Sequence, residues 1–377
     1  MRPIARSSLA AFIVLATAAC SSSSSGPGGG GDAGQADATS GDSGSDGSRD
    51  ARSSVDASGA DGQAGDAGVQ DAACTRAEVP DGSCVITLAA GLSAPAGIAI
   101  DSKNVYWTLS VPDGGGAVMS APIGGGAVTT IASGLQEPLG IASDGAHVYW
   151  ANAGGNDGGM EVMGAPLDGG APTVVLKAST SPQYVAVDAT GLYATTSGGE
   201  VWFAPLDGGA PTVLVAGQGQ PGPVVIDDAS AYFTSFSGSA SVVSVPKAGV
   251  PEGGAPLVIA SNEAQPFGIA IDATRVYWTA LGSGSVRAAP KMGLADGGAP
   301  TVLATGQVSP TGVAVDSSNV YFTSEVGAGA LLRVPLAGGT PATFVSAQTY
   351  PFAVAVDARN VYWTNLTAGG SAQQVAK

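Results

Sequence analysis

A block of sequence that occurs seven times between residues 95 and 362 restricts the fold more than any other property of this 377-residue chain. In its first copy Pro95-Ala-Gly97-Ile-Ala-Ile-Asp101 is followed by Asn104-Val-Tyr106-Trp107-Thr108. The leading proline recurs as Pro138, Pro182, Pro221, Pro266, Pro310 and Pro351. Six residues after each comes an aspartate: Asp101, Asp144, Asp188, Asp227, Asp272, Asp316 and Asp357. Five further on stands a tyrosine: Tyr106, Tyr149, Tyr193, Tyr232, Tyr277, Tyr321 and Tyr362. The period runs from 39 to 45 residues. Self-similarity on that scale marks a supersecondary unit that buries its apolar face only by stacking on its neighbours.

Within a unit the pattern reads as four short strands, shown by Gly268–Ile271, Val276–Thr279, Ser285–Ala289 and Thr301–Ala304 in the fifth. Gly-Gly turns such as Asp168-Gly-Gly and Asp207-Gly-Gly join the last two runs, because glycine tolerates the positive φ that a tight hairpin demands. Four antiparallel strands per unit predict the blade of a β-propeller. The seventh unit ends after one further run, Ser371–Val375, so its outermost strand is missing. A matching run, Val85-Ile-Thr-Leu88-Ala-Ala-Gly91, precedes the first unit. The expected fold is therefore all-β: a seven-bladed propeller of four-stranded antiparallel blades, closed by an N-terminal strand that completes the last blade and removes an exposed edge.

Composition agrees with many short strands: Gly 58, Pro 24 and only 12% charged residues. Net charge is about +2 over residues 1–20, −7 over 21–73 and −11 over 74–377. Nucleic-acid binding is excluded on this reading, since the few Lys and Arg of the last segment are scattered and form no counterion-releasing patch. No cofactor is expected, and three Cys with one His are a poor basis for a metal cluster.

The first 19 residues have Arg2 and Arg6, then the apolar run Leu9–Ala19, the layout of a secretory signal and too short to span a bilayer. Leu15-Ala16-Thr17-Ala18-Ala19-Cys20 resembles the cleavage box of bacterial lipoproteins, with Thr17 where an aliphatic residue is usual. The resemblance implies lipidation of Cys20 and a membrane contact through that lipid, which several acyl chains would make firm. Ser21 in place of an inner-membrane retention Asp favours the outer membrane or cell surface. Residues 20–73 are rich in Ser, Gly, Asp and Ala with hardly a large apolar side chain, and are expected to be a disordered acidic tether to a domain spanning 74–377. In an oxidising compartment Cys74 and Cys84 are expected to form a disulfide.

The motifs Pro-x-Gly-Ile-Ala-Ile-Asp, Val-Tyr-Trp-Thr and Pro-Leu-Asp-Gly-Gly, the last at residues 166–170 and 205–209, resemble the YWTD propellers of lipoprotein receptors, with looser similarity to NHL-repeat and TolB-like propellers. The resemblance covers residues 85–377 and implies the blade architecture. Those receptors have six blades, and the Asp that closes their motif is here Leu109, Asn152, Ala280 or Asn365.

Each repeated Asp is expected to accept hydrogen bonds from turn amides, and the Tyr and Trp of the second strands to pack between blades. His147 starts a second strand, away from the expected ligand face, and so is a poor catalytic base. That face is expected where loops enter the inner strands and leave the second strands, with Glu137, Asn152, Tyr184, Glu263, Phe267, Glu325, Tyr350, Phe352 and Asn365 as candidate contacts. A rigid frame with variable loops suits a monomeric, non-catalytic binding or scaffold module for a protein or glycan. The alternative is a lactonase-like hydrolase or lyase in which Glu137, Asn152, Glu263, Glu325 and Asn365 hold a divalent metal.

Overall fold

A computed structural model describes residues 82–112, 114–154, 160–251, 254–295 and 298–377, together with the backbone of Cys74–Thr75. The signal sequence, Cys20 and the tether fall outside the described residues. Blade 1 comprises Pro95–Ile100, Asn104–Leu109, Gly116–Pro122 and Thr129–Leu135, from the axis outward. Blades 2 to 6 repeat this meander over residues 138–177, 182–215, 221–260, 266–304 and 310–348. Blade 7 begins with Pro351–Val356, Asn360–Asn365 and Ala368–Ala376. Its fourth strand is Val85–Ser93, antiparallel to Ala368–Ala376 in the register Val85 to Val375, Thr87 to Gln373 and Ser93 to Ala368. The molecule is thus a seven-bladed β-propeller closed from its N-terminal side. Beyond the four expected strands, Cys74–Thr75 adds a short fifth to blade 7, pairing with Val85 and Ile86. Cys84 is disulfide-bonded, and the side chain of Cys74, its expected partner, lies outside the described residues.

No single core holds the ring; seven apolar clusters do, each built across a blade boundary. The tyrosine of one second strand packs with the residue that directly follows the repeat tyrosine on the next blade's second strand. Tyr106 meets Trp150, Tyr232 meets Trp278, Tyr277 meets Phe322, Tyr321 meets Trp363, and Tyr362 meets Trp107 across the closure. In blade 3 that place holds Ala194, and Trp202 from the third strand fills the space beside Tyr149. Aromatic side chains with no exposed surface each contribute about 1.5–3 kcal/mol of burial, so blades hold one another and a lone blade is not a stable unit.

Hydrogen bonds tie the same boundaries. A threonine on the second strand donates its hydroxyl to the backbone of the next inner strand, as Thr108 to Leu139 O at 2.7 Å, Thr279 to Thr311 O at 2.7 Å and Thr364 to Ala96 O at 2.7 Å. The same oxygens accept a backbone N–H within their own blade, from Gly97 to Thr108 and from Gly268 to Thr279. Glycine is needed there: a Cβ on Gly268 would stand 2.1 Å from Thr311 O, and one on Gly97 2.4 Å from Leu139 O. Blade 2 carries Ala151 in place of the threonine, so that boundary to blade 3 lacks the bond.

At the end of the inner strands the repeated aspartates cap their turns as expected. Asp101 Oδ1 accepts the amides of Lys103 and Asn104, and Asp357 Oδ1 those of Arg359 and Asn360. Their second oxygens take tyrosine hydroxyls, Tyr106 on Asp101 at 2.7 Å and Tyr362 on Asp357 at 2.7 Å, which explains the five-residue Asp-to-Tyr spacing. Lys247, Lys291 and Lys377 reach back to the preceding blade's Asp188, Asp227 and Asp316, each ammonium lying over a tyrosine ring. Burial acts to raise Asp227, but Lys291, two turn amides and Tyr232 outweigh it and bring its pKa down to about 2. This end of the propeller is a latch, and His147, 3.7 Å from Asp144, belongs to it.

Candidate functional site: the mouth at the proline end

The opposite end is framed by backbone. In every blade the carbonyl of the residue before the leading proline accepts the amide of the first residue beyond the second strand, as Ala94 from Ser110, Glu137 from Ala153, Ser309 from Glu325 and Tyr350 from Leu366. Six of these residues adopt positive φ: Ala94, Glu137, Gln220, Gln265, Ser309 and Tyr350, between 46° and 55°. Such a conformation costs a non-glycine residue about 1–2 kcal/mol, and the carbonyl bond together with the fixed proline offsets it. Only Ser181, before Pro182, departs.

Blade 3 differs again two residues later. Where blades 1, 2, 5 and 6 have glycine, it has Tyr184, and after the register shift common to all seven inner strands its pairing resumes at that residue, one place earlier than in the other blades. Freed from the close approach that glycine serves, the Tyr184 side chain reaches the ring of Phe267 in blade 5, edge-on with centroids 6.3 Å apart. Phe267 in turn lies 5.9 Å from Phe352 of blade 7. Residues from non-adjacent blades touch only across the axis, so these rings cross the central opening. Phe352 is buried, while Tyr184 and Phe267 keep part of their surface open.

Beside them is the carboxyl of Glu325, from blade 6. Its position in the frame is held elsewhere by Ser110, Ala153, Ser197, Phe236, Leu281 and Leu366, so Glu325 is the ionisable member of the set. Only 3% of it is exposed, and Oε1 has no hydrogen-bond partner. Burial pushes its pKa up to about 8, so the group is a neutral acid at pH 7. The buried Tyr184 hydroxyl also has no partner; burial first, and then the Glu325 charge, raise its pKa. The two groups thus lie within electrostatic range of each other.

The other candidates are engaged locally and do not converge with this pair. Glu263 accepts Trp278 Nε1 at 2.9 Å and pairs with Arg287 at 3.2 Å. Asn152 Oδ1 accepts the Gln136 amide at 3.0 Å. Asn365 Nδ2 donates to Gln348, Ser371 and Gln373, while its Oδ1 is buried without a partner. Glu137 and Tyr350 serve the frame through their main chains, and the Tyr350 ring lies beside Gly327, over the loop that follows Glu325. Among the described residues no three His, Cys, Asp or Glu side chains gather as a metal site.

One relation escaped the sequence reading. Three residues before the leading proline stands the acceptor for that blade's tryptophan: Glu263 for Trp278 and Gln348 for Trp363. Blades 1 and 2 have Leu92 and Leu135 there, and the indole N–H groups of Trp107 and Trp150 are buried without partners. Comparing these positions down the seven repeats would have exposed Glu263 as a partner of tryptophan and Glu325 as the odd member of its own set.

By architecture, then, the chain belongs with the β-propellers. No protein-family model and no curated protein matches it. Among solved structures, a streptogramin B lyase matches with a TM-score of 0.61 at 13% identity, over 77% of this chain and 96% of the lyase. YCF48 from Cyanidioschyzon merolae matches with a TM-score of 0.58 at 13% identity, over 78% of this chain and 98% of its own. The nidogen/laminin complex structure gives 0.48 at 20% identity, over 62% of this chain and 89% of that one. At these identities the likeness is one of fold.

Proposed function

We propose that this protein is a non-catalytic recognition module of the bacterial envelope, exported, lipid-anchored through Cys20 at the outer membrane or cell surface, and presenting the mouth of its propeller to a protein or glycan. The observation that carries this reading is the composition of the mouth. Partly open aromatic rings from two blades, backed by the buried Phe352 of a third, stand over a rigid backbone frame, beside two polar groups with no internal partner. Aromatic faces with a few unsatisfied polar atoms are the usual make-up of a binding site. The Asp and Lys residues of the other end are tied into the latch and leave it little to offer a ligand.

The test is retention of envelope glycans and proteins on the immobilised chain, with and without chelator, compared with a Tyr184→Ala, Phe267→Ala variant. Expected is retention that survives chelator and is lost in the variant; retention equal in both contradicts the reading. A hydrolase or lyase of the lactonase type is the second reading, and the protonated Glu325 in the mouth is what favours it, as a ready proton donor. Turnover of simple lactones, abolished by Glu325→Gln, would establish that reading in place of the first.

A further inference from the structure

We propose that the mouth binds an organic ammonium ion, a primary or methylated amine, seated on the Tyr184 and Phe267 rings with Glu325 as its counter-ion. This names a ligand class for the recognition site proposed above and rests on that reading.

Four observations lead to it. Glu325 is almost fully buried, and one of its oxygens meets no donor. The lysines and arginines whose ion pairs are described face other carboxylates: Arg287 faces Glu263, Lys177 faces Glu161, and Lys247, Lys291 and Lys377 face the latch aspartates. The Tyr184 hydroxyl, equally without a partner, lies within electrostatic range of the same carboxyl. The partly open rings of Tyr184 and Phe267, with Phe352 packed behind them, supply the electron-rich faces that hold ammonium and alkylammonium ions.

The choice between ligand charges follows from the same atoms. An anion would meet an acidic group and the −11 charge of residues 74–377. A neutral sugar would satisfy the free oxygens but draw nothing from a carboxyl that a cation converts to its ionised form. The net field of an acidic protein also gathers cations at its openings. Tyr184 is the titratable group that feels the Glu325 charge, and burial is the cause of the raised pKa of Glu325 itself.

Binding of a cation must release the Glu325 proton wherever the free protein still holds it. Titration calorimetry of the purified chain with tetramethylammonium and n-butylammonium, between pH 6 and 9 in two buffers of different ionisation enthalpy, reads this directly. Affinity is expected to rise about tenfold per pH unit and to level off above about pH 8, with close to one proton released per cation at the low end. Glu325→Gln, whose melting temperature serves as the folding control, is expected to lose at least about tenfold in affinity and all proton release. Phe267→Leu is expected to weaken binding and leave the proton release unchanged. Absence of binding by both amines, or binding that Glu325→Gln leaves intact and flat with pH, overturns the assignment. If the amines fail while a glycan or protein is still held through Tyr184 and Phe267, the ligand class falls and the recognition reading stands. If that retention fails as well, both fall.

Discussion

Glu325 shows how much one side chain can decide. Its carboxyl holds a proton up to about pH 8 in the folded chain and releases it near the ordinary 4.5 when unfolded. Between those values the native state binds more protons than the unfolded one, so stability falls as pH rises through that window and is level above it. The full difference is on the order of 5 kcal/mol. Glu325→Gln removes it, and urea unfolding of wild type and variant at pH 5 and pH 9 should show the variant gaining by roughly that amount at the higher pH. An unchanged difference between the two proteins at both pH values would contradict the burial described. Glu325 and Tyr184 were legible in the sequence as loop or strand-end residues of the expected face, but their meeting was not. It depends on where blade 3 resumes its register after Pro182 and on residues from different blades of the ring.

At the scale of the strand, the repeat was legible because its spacing follows directly from strand, turn and strand, and even the borrowed last strand could be found by matching Val85-Ile-Thr-Leu88 with Thr301-Val-Leu303. The partners of the repeated side chains were harder to read, since they lie on the next blade. The threonine in Val-Tyr-Trp-Thr looks like an ordinary strand residue, yet its oxygen serves two backbone groups, one in each blade. Thr279→Val keeps the shape and leaves Gly268 N–H and Thr311 O without that partner. The expected loss is about 2–4 kcal/mol, measured by chemical denaturation, because two buried polar groups are left unpaired. A loss below about 0.5 kcal/mol would mean that the inter-blade bond contributes little. Left-handed residues such as Glu137 and Tyr350 were not foreseen, since the residue before a proline is ordinarily extended. Their carbonyl contacts override that preference.

For the molecule as a whole, the two ends of the ring have different work. Asp, Tyr and Lys bind blade to blade at one end, and the positions that vary from repeat to repeat gather at the other, among them Tyr184, Phe267, Glu325 and Phe352. Both ends depend on closure of the ring, because the mouth is assembled from blades 3, 5, 6 and 7 and keeps its geometry only while blade 7 is complete. Amide hydrogen exchange followed by mass spectrometry tests that closure most directly. Peptides covering Val85–Ser93 and Ala368–Ala376 are expected to exchange together, as slowly as the second strands of the middle blades. Rapid exchange of Val85–Ser93, at the rate of the surface turns, would contradict the closed ring.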